Sequence, residues 1–298
     1  MSLVPAFRTI AIFAAASLAA VGAGAATLSI SGVPVGSWLR NPIGWVIGVF
    51  LATGLMLLRS SLPVARVILA AAVLGVAGTF LAPAQSGVHR WIDLGPLHIN
   101  MAALLLPAAV VALAFCGIAS RIGLTFTAAM ATLLVLQPDA SQSTSFLVAV
   151  INLVALSTPS RGRVPIAIAA AIALAISWTR PDPLKPVAEV EGIFRLAFSV
   201  SPLLAAAAGL ALAAASLAPL SLRRTAGPSH RNAAVALTGY FISAAICPAF
   251  GAFPVPLVGL GMSFPLGYWL GIALLCAHDS SMQKNANQPA VRSSPAGD

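Results

Sequence analysis

Side chains able to do chemistry are sparse in this 298-residue chain and gather mainly in two polar segments. The first reads Gly87-Val88-His89-Arg90-Trp91-Ile92-Asp93-Leu94-Gly95-Pro96-Leu97-His98-Ile99-Asn100. Arg90 offers a planar cation that suits a phosphate or Asp93, and Trp91 with Ile92 suits a membrane interface. An aromatic-belt anchor with a local ion pair accounts for the same residues equally well. His89 and His98 are poorly spaced for a shared metal. The second segment, Trp178 to Gly192, combines Pro181, Pro183 and Pro186 with the cations Arg180 and Lys185 and the acids Asp182, Glu189 and Glu191. Proline stiffens it. A rigid loop of both signs at a membrane surface can hold an anionic lipid-linked substrate through Arg and Lys while a carboxylate removes a proton. A solvated polar cap would have the same composition.

Missing motifs narrow the chemistry further. No acid lies deep in an apolar run, which disfavours a proton-coupled carrier. There is no G-x-x-x-x-G-K-[ST], no G-x-G-x-x-G opening a helix and no H-E-x-x-H, so nucleotide hydrolysis, dinucleotide redox chemistry and zinc proteolysis have no foothold. Gly261-Met262-Ser263 hints at an intramembrane serine protease, but none of His89, His98, His230 and His278 falls inside an expected span to serve as base. Cys116, Cys247 and Cys276 have no CxxC or zinc spacing and read as small apolar side chains.

The elements that must position these residues follow from composition. With 59% apolar and 8% charged residues and a mean hydropathy of +0.96, the chain is no soluble globule. Apolar runs predict ten spans, at 6–28, 42–58, 65–82, 100–118, 122–137, 144–158, 163–178, 196–219, 232–250 and 256–277. The fifth to seventh are short, and the sixth has the length of a partly re-entrant segment. The first is long for a signal peptide and reads as a retained helix, although Ala23-Gly24-Ala25 resembles a cleavage site. The expectation is one all-α, polytopic transmembrane domain over 1–277, followed by a disordered cytoplasmic tail over 278–298.

A cytoplasmic N-terminus puts eleven of the sixteen basic residues inside: Arg8, Arg59, Arg66, Arg121, Arg161, Arg163, Arg223, Arg224, Arg231, Lys284 and Arg292. Five of the seven acids, Asp93, Asp139, Asp182, Glu189 and Glu191, then fall outside with Arg40, Arg90, Arg180, Lys185 and Arg195. The net charge of +9 therefore reflects orientation, and nucleic acid is not an expected partner. Outer loops 83–99 and 179–195 carry paired charges that orientation does not require, so function is sought there. Alanine runs at 205–208 and 213–215 read as close helix packing.

In order along the chain stand Arg90-Trp91-Ile92-Asp93-Leu94-Gly95, Leu136-Gln137-Pro138-Asp139, Glu189-Val190-Glu191-Gly192-Ile193-Phe194 and Pro256-Leu257-Val258-Gly259-Leu260-Gly261-Met262-Ser263. Together these four motifs resemble those of the SEDS family, the RodA and FtsW type of membrane glycosyltransferase. Arg90-Trp91-Ile92-Asp93-Leu94-Gly95 is similar to the family's R-W-I-x-L-G, and Leu136-Gln137-Pro138-Asp139 to its Q-P-D. Glu189-Val190-Glu191-Gly192-Ile193-Phe194 falls where the family writes H-T-D-F-I-F, and Pro256-Leu257-Val258-Gly259-Leu260-Gly261-Met262-Ser263 is similar to P-F-V-S-Y-G-G-S. The chain departs from the family at Asn100-Met101-Ala102-Ala103, where Q-P-S-E is usual. It also departs at Pro138-Asp139-Ala140-Ser141-Gln142, in place of P-D-x-G-T, and at Ser199-Val200, in place of an acidic pair.

The resemblance implies polymerisation of lipid II at the outer face of a bacterial inner membrane, in division or cell-shape maintenance, with a class B penicillin-binding transpeptidase as partner. It implies Glu191 as base or metal-assisting carboxylate and Asp139 as an orienting group. Arg90, Arg180 and Lys185 would neutralise the pyrophosphate, with Trp91 and Asp93 beside them. No organic cofactor is called for, and there is room for a divalent cation. A non-catalytic subunit binding a transpeptidase or lipid precursor, and a lipid-precursor carrier, are the alternatives.

Overall fold

The computed structural model describes residues 3–58, 61–95, 97–157, 163–180, 182–223 and 227–277. The expected tail, and Arg59, Arg161 and Arg224, lie outside the described residues. Twelve α-helices occur among those described: α1 (Leu3–Ile30), α2 (Val35–Trp38), α3 (Arg40–Leu57), α4 (Leu62–Gly78), α5 (Met101–Cys116), α6 (Arg121–Leu136), α7 (Ala140–Leu156), α8 (Arg163–Thr179), α9 (Ile193–Val200), α10 (Pro202–Leu217), α11 (Pro228–Ile246) and α12 (Ser263–Cys276). Five rods, Pro5–Ile30, Val35–Leu57, Leu62–Leu81, Pro202–Leu222 and Pro228–Ala249, are 20 to 26 residues long and apolar enough to cross a membrane. The rods built on α5, α6, α7, α8 and α12 are shorter but apolar throughout. The result is a polytopic membrane bundle.

Helix starts are written locally. Ser61, Asn100, Ser120 and Asp139 each accept a backbone N–H three residues on, from Val64, Ala103, Gly123 and Gln142. Asn100, at a departure from the family pattern, therefore has a structural task as the cap of α5. Helix α7 is continuous from Ala140 to Leu156, so no part of the sixth run is re-entrant.

Packing relies on missing side chains. A Cβ on Gly267 would stand 2.1 Å from the Ala103 carbonyl oxygen, and one on Gly271 2.8 Å from Pro107 Cβ, so α12 lies almost directly against α5. Phe241 and Tyr268 stack at 3.8 Å between ring centroids where α11 meets α12. Ala208 and Ala215 of the alanine runs are fully buried.

Four features depart from the sequence expectations. The first outer loop is a β-hairpin, β1 (Trp91–Leu94) with β2 (Leu97–Asn100), turning at Gly95, whose φ of 61° suits glycine. The eighth run is broken at Ser201, which is extended (φ −164°, ψ 126°) before Pro202, giving the separate helix α9. The tenth run is helical only from Ser263, because Pro254 and Pro256 lack N–H groups and 255–261 bonds elsewhere. Finally, His230 lies inside α11, buried against Phe115 at 4.8 Å, and so does fall within a helix. It sits at the bundle end away from Ser263, so it does not supply the base of a serine protease.

Candidate functional site

Tracing the chain puts both polar segments at one end of the bundle. Helix α4 runs up to Thr79, whose hydroxyl donates to the His89 carbonyl at 2.8 Å. Helix α6 runs up to Gln137, whose Nε2 donates to Thr79 Oγ1 at 2.6 Å. Next to Gln137, Arg90 is 4% exposed and acts as a clasp. Its Nη2 donates to Asp182 Oδ2 at 2.7 Å and to the Pro138 carbonyl. Its Nε donates to the Gln137 carbonyl at 3.4 Å and lies 3.6 Å from Asp139 Oδ2. The guanidinium thus joins the hairpin, the start of α7 and the proline-rich loop. Two of its three nitrogens, Nε and Nη2, are committed to protein acceptors. Asp139 is likewise buried, with Oδ1 capping α7.

The proline-rich loop closes on itself before α9. The Val187 carbonyl accepts from the N–H groups of Val190, Glu191 and Gly192, and Glu191 Oε2 accepts from Val187 N–H at 2.7 Å. This turn is fastened to the segment before α12: Val255 N–H donates to Val190 O at 3.3 Å, and Leu260 N–H to Glu189 O at 2.8 Å. A Cβ on Gly259 would lie 2.5 Å from Val190 O, so glycine is required for that approach. Asn41 fixes the segment from the other side, donating to Gly259 O and accepting from Gly261 N–H, each at 2.6 Å. Ser263 Oγ accepts from Asn100 N–H at 2.9 Å, locking the hairpin to α12.

Glu191 stands between two cavities. One, of about 380 Å³, is also lined by Arg40, Trp91, His98, Lys185 and Ser263. The other, of about 700 Å³, is lined by Arg195 and Ser199 of α9 and by Pro248, Ala249 and Gly251. Partial burial raises the Glu191 carboxyl above its ordinary value. The Val187 N–H hydrogen bond opposes that rise; among the charges, Asp182 adds to it and Arg90 opposes it. The carboxylate therefore remains basic while solvent and two cavities have access to it.

Of the residues expected at a site, Glu191, Lys185 and Trp91 share the smaller cavity. Asp93 pairs across the hairpin with His98 at 2.6 Å. Arg180 is exposed at the end of α8 and lines neither cavity. Arg40 is the cation that sequence reasoning left out; its only signal was a basic residue opening the second span on the side with the acids. Among the described residues no three His, Cys, Asp or Glu side chains converge as metal ligands.

No protein-family model and no curated protein matches the sequence. Solved structures do. The rod shape determining protein RodA of Thermus thermophilus superposes with a TM-score of 0.63 at 19% identity, covering 93% of this chain and 97% of that one. The chain has the RodA fold. A point mutant of that RodA gives a TM-score of 0.62 at the same identity. A chain of a peptidoglycan synthase complex, described as coordinating polymerization and crosslinking, gives 0.63 at 19% identity over 89% of this chain and 96% of that one. The RodA likeness spans the whole bundle, so the hairpin end with Glu191 belongs to an architecture shared across nearly the full length of both chains.

Proposed function

We propose that this chain is a SEDS-type glycosyltransferase that lengthens glycan strands from lipid II at the outer face of a bacterial inner membrane, with both termini cytoplasmic. The observation that carries the reading is the carboxylate of Glu191, part-buried and raised in pKa, standing between two cavities lined by cations. In the proposed step the Glu191 carboxylate takes the proton of the acceptor hydroxyl. The acceptor oxygen attacks the anomeric carbon, the bond from that carbon to the pyrophosphate oxygen breaks, and polyprenyl pyrophosphate leaves with the electron pair. Arg40 and Lys185 balance its charge. Arg90, Asp139 and Asp182 act as positioning residues that hold the loop. The likeness to a chain of a peptidoglycan synthase complex supports a partner of the class B penicillin-binding transpeptidase kind.

The test is polymerisation of purified lipid II by the purified protein, alone and with candidate class B transpeptidases. Glu191→Gln, nearly isosteric but unable to accept a proton, is expected to lower the rate about 10²–10⁴-fold without loss of folded protein. Wild-type rates in that variant would remove the catalytic assignment. An inert wild-type protein that still binds a transpeptidase would make the chain a non-catalytic subunit.

A further inference from the structure

At the end of the bundle away from the hairpin, α4 and α6 bound an open cavity of about 520 Å³ that the proposed chemistry does not use. Its walls are apolar, with Leu69, Val73, Leu74 and Phe126 among them, and its mouth holds Arg66 and Arg121. Arg66 is one turn into α4 and Arg121 is the first residue of α6, and both line this cavity near the starts of their helices. Both are exposed and neither forms an ion pair among the described residues. All five described carboxylates, Asp93, Asp139, Asp182, Glu189 and Glu191, lie at the opposite end. The α6 N-terminus, capped by Ser120, adds partial positive charge at the same point. Orientation explains a basic end, but it does not require two arginines to frame one apolar groove.

We propose that this groove is a binding site for one anionic glycerophospholipid of the adjacent leaflet. Its phosphate would be held between Arg66 and Arg121, and an acyl chain would lie along Val73, Leu74 and Phe126. The shape suits a lipid: a phosphate needs the cationic mouth, a hydrocarbon tail needs the apolar walls, and the cavity opens sideways between two helices. Uncompensated cations set the preference for an anionic headgroup over a zwitterionic one.

The test uses the full chain purified in mild detergent, with native mass spectrometry and titration by short-chain phosphatidylglycerol, phosphatidylcholine and inorganic phosphate. Two arginines facing an anionic headgroup predict phosphatidylglycerol binding about thirtyfold tighter than phosphatidylcholine. R66Q/R121Q should abolish that preference, whereas R66K/R121K should retain most of it. Ala129→Trp, which fills the groove but leaves both charges, should weaken both lipids alike. Arg8 lies in α1 at the same end of the bundle, where Thr9 meets Ser221, and R8Q should bind as wild type does. If R66Q/R121Q fails to fold, the R66K/R121K and Ala129→Trp results decide. Equal lipid preference in R66Q/R121Q and wild type, an equal loss in R8Q, inorganic phosphate competing as strongly as the lipid, or undiminished binding in Ala129→Trp would each overturn the proposal.

Discussion

Replacing Arg90 with methionine keeps an unbranched apolar stem and removes the guanidinium that forms the clasp. Three acceptors lose their donor, Asp182 Oδ2 at 2.7 Å and the Gln137 and Pro138 carbonyls, and Asp139 loses the cation 3.6 Å away. Breaking a buried ion pair from one side costs about 3–5 kcal/mol, because the partner stays desolvated. Here the partners differ: the Asp182 side chain is 24% exposed and can regain water, whereas that of Asp139 is 6% exposed and cannot. The cost should fall near the lower bound, about 3 kcal/mol, and at about 2–4 °C per kcal/mol the melting temperature in detergent should drop by about 6–12 °C. Adding Asp182→Asn should recover part of that loss, with a coupling energy of about 1–2 kcal/mol between the two positions. Thermal unfolding of wild type, both single variants and the double variant supplies the cycle. If Arg90→Met melts within about 1 °C of wild type, or if the two substitutions simply add, the guanidinium is not what ties the hairpin to the loop.

Because burial raises the Glu191 carboxyl, its proton-accepting form is present only above that raised value, so the acid limb of a pH–rate profile should lie above that of an exposed glutamate. The same shift means the folded state favours the neutral form, so this group's contribution to stability is lost as pH rises through the folded pKa, and Glu191→Gln should be at least as stable as wild type at pH 7. Gly267→Ala should destabilise the bundle strongly, since its Cβ would meet the Ala103 carbonyl at 2.1 Å; Gly22→Ala, with nothing within 4 Å, should not. In a variant without native cysteines, Asp93→Cys and Ala188→Cys should react with an impermeant thiol reagent from outside the cell and Ala119→Cys should not; the reverse pattern would invert the proposed topology.

Legibility in the sequence followed the range of the interaction responsible. Ten apolar runs became ten rods because membrane burial acts on each segment alone. The helices begin at Leu62, Arg121 and Ala140, ahead of the runs at 65, 122 and 144, because Ser61, Ser120 and Asp139 cap them, a local signal that hydropathy does not register. Glu191 stands out in the sequence because a carboxylate among prolines and cations at a span edge is unusual by itself, and the structure places it beside both cavities. The hairpin was missed because Trp91-Ile92-Asp93-Leu94 is too short to show alternation, and its pairing is stabilised by the Ser263 contact from α12. Arg90 was legible as a charge, but its protein partners were not. Its acceptors at 137–139 and 182 come from three separated segments, and nothing local announces that they converge. Arg40 entered the site for the same long-range reason.

The hydrogen bonds that fasten Glu189 and Val190 to Leu260 and Val255 join positions separated by the whole of Pro202–Leu222 and Pro228–Ala249. During synthesis the Glu191 loop is therefore complete well before its template is made. A nascent chain with nine rods inserted carries the carboxylate, but Glu189 O and Val190 O have no N–H partners and the smaller cavity lacks the wall at 260–264. The turn is closed by its own hydrogen bonds at Val187, but its fastening to the 255–261 segment and the cavity wall at 260–264 require the last helix to be in place. A chain ending before that segment would lack those fastenings and that wall, so the smaller cavity is completed by the last part of the bundle to be synthesised.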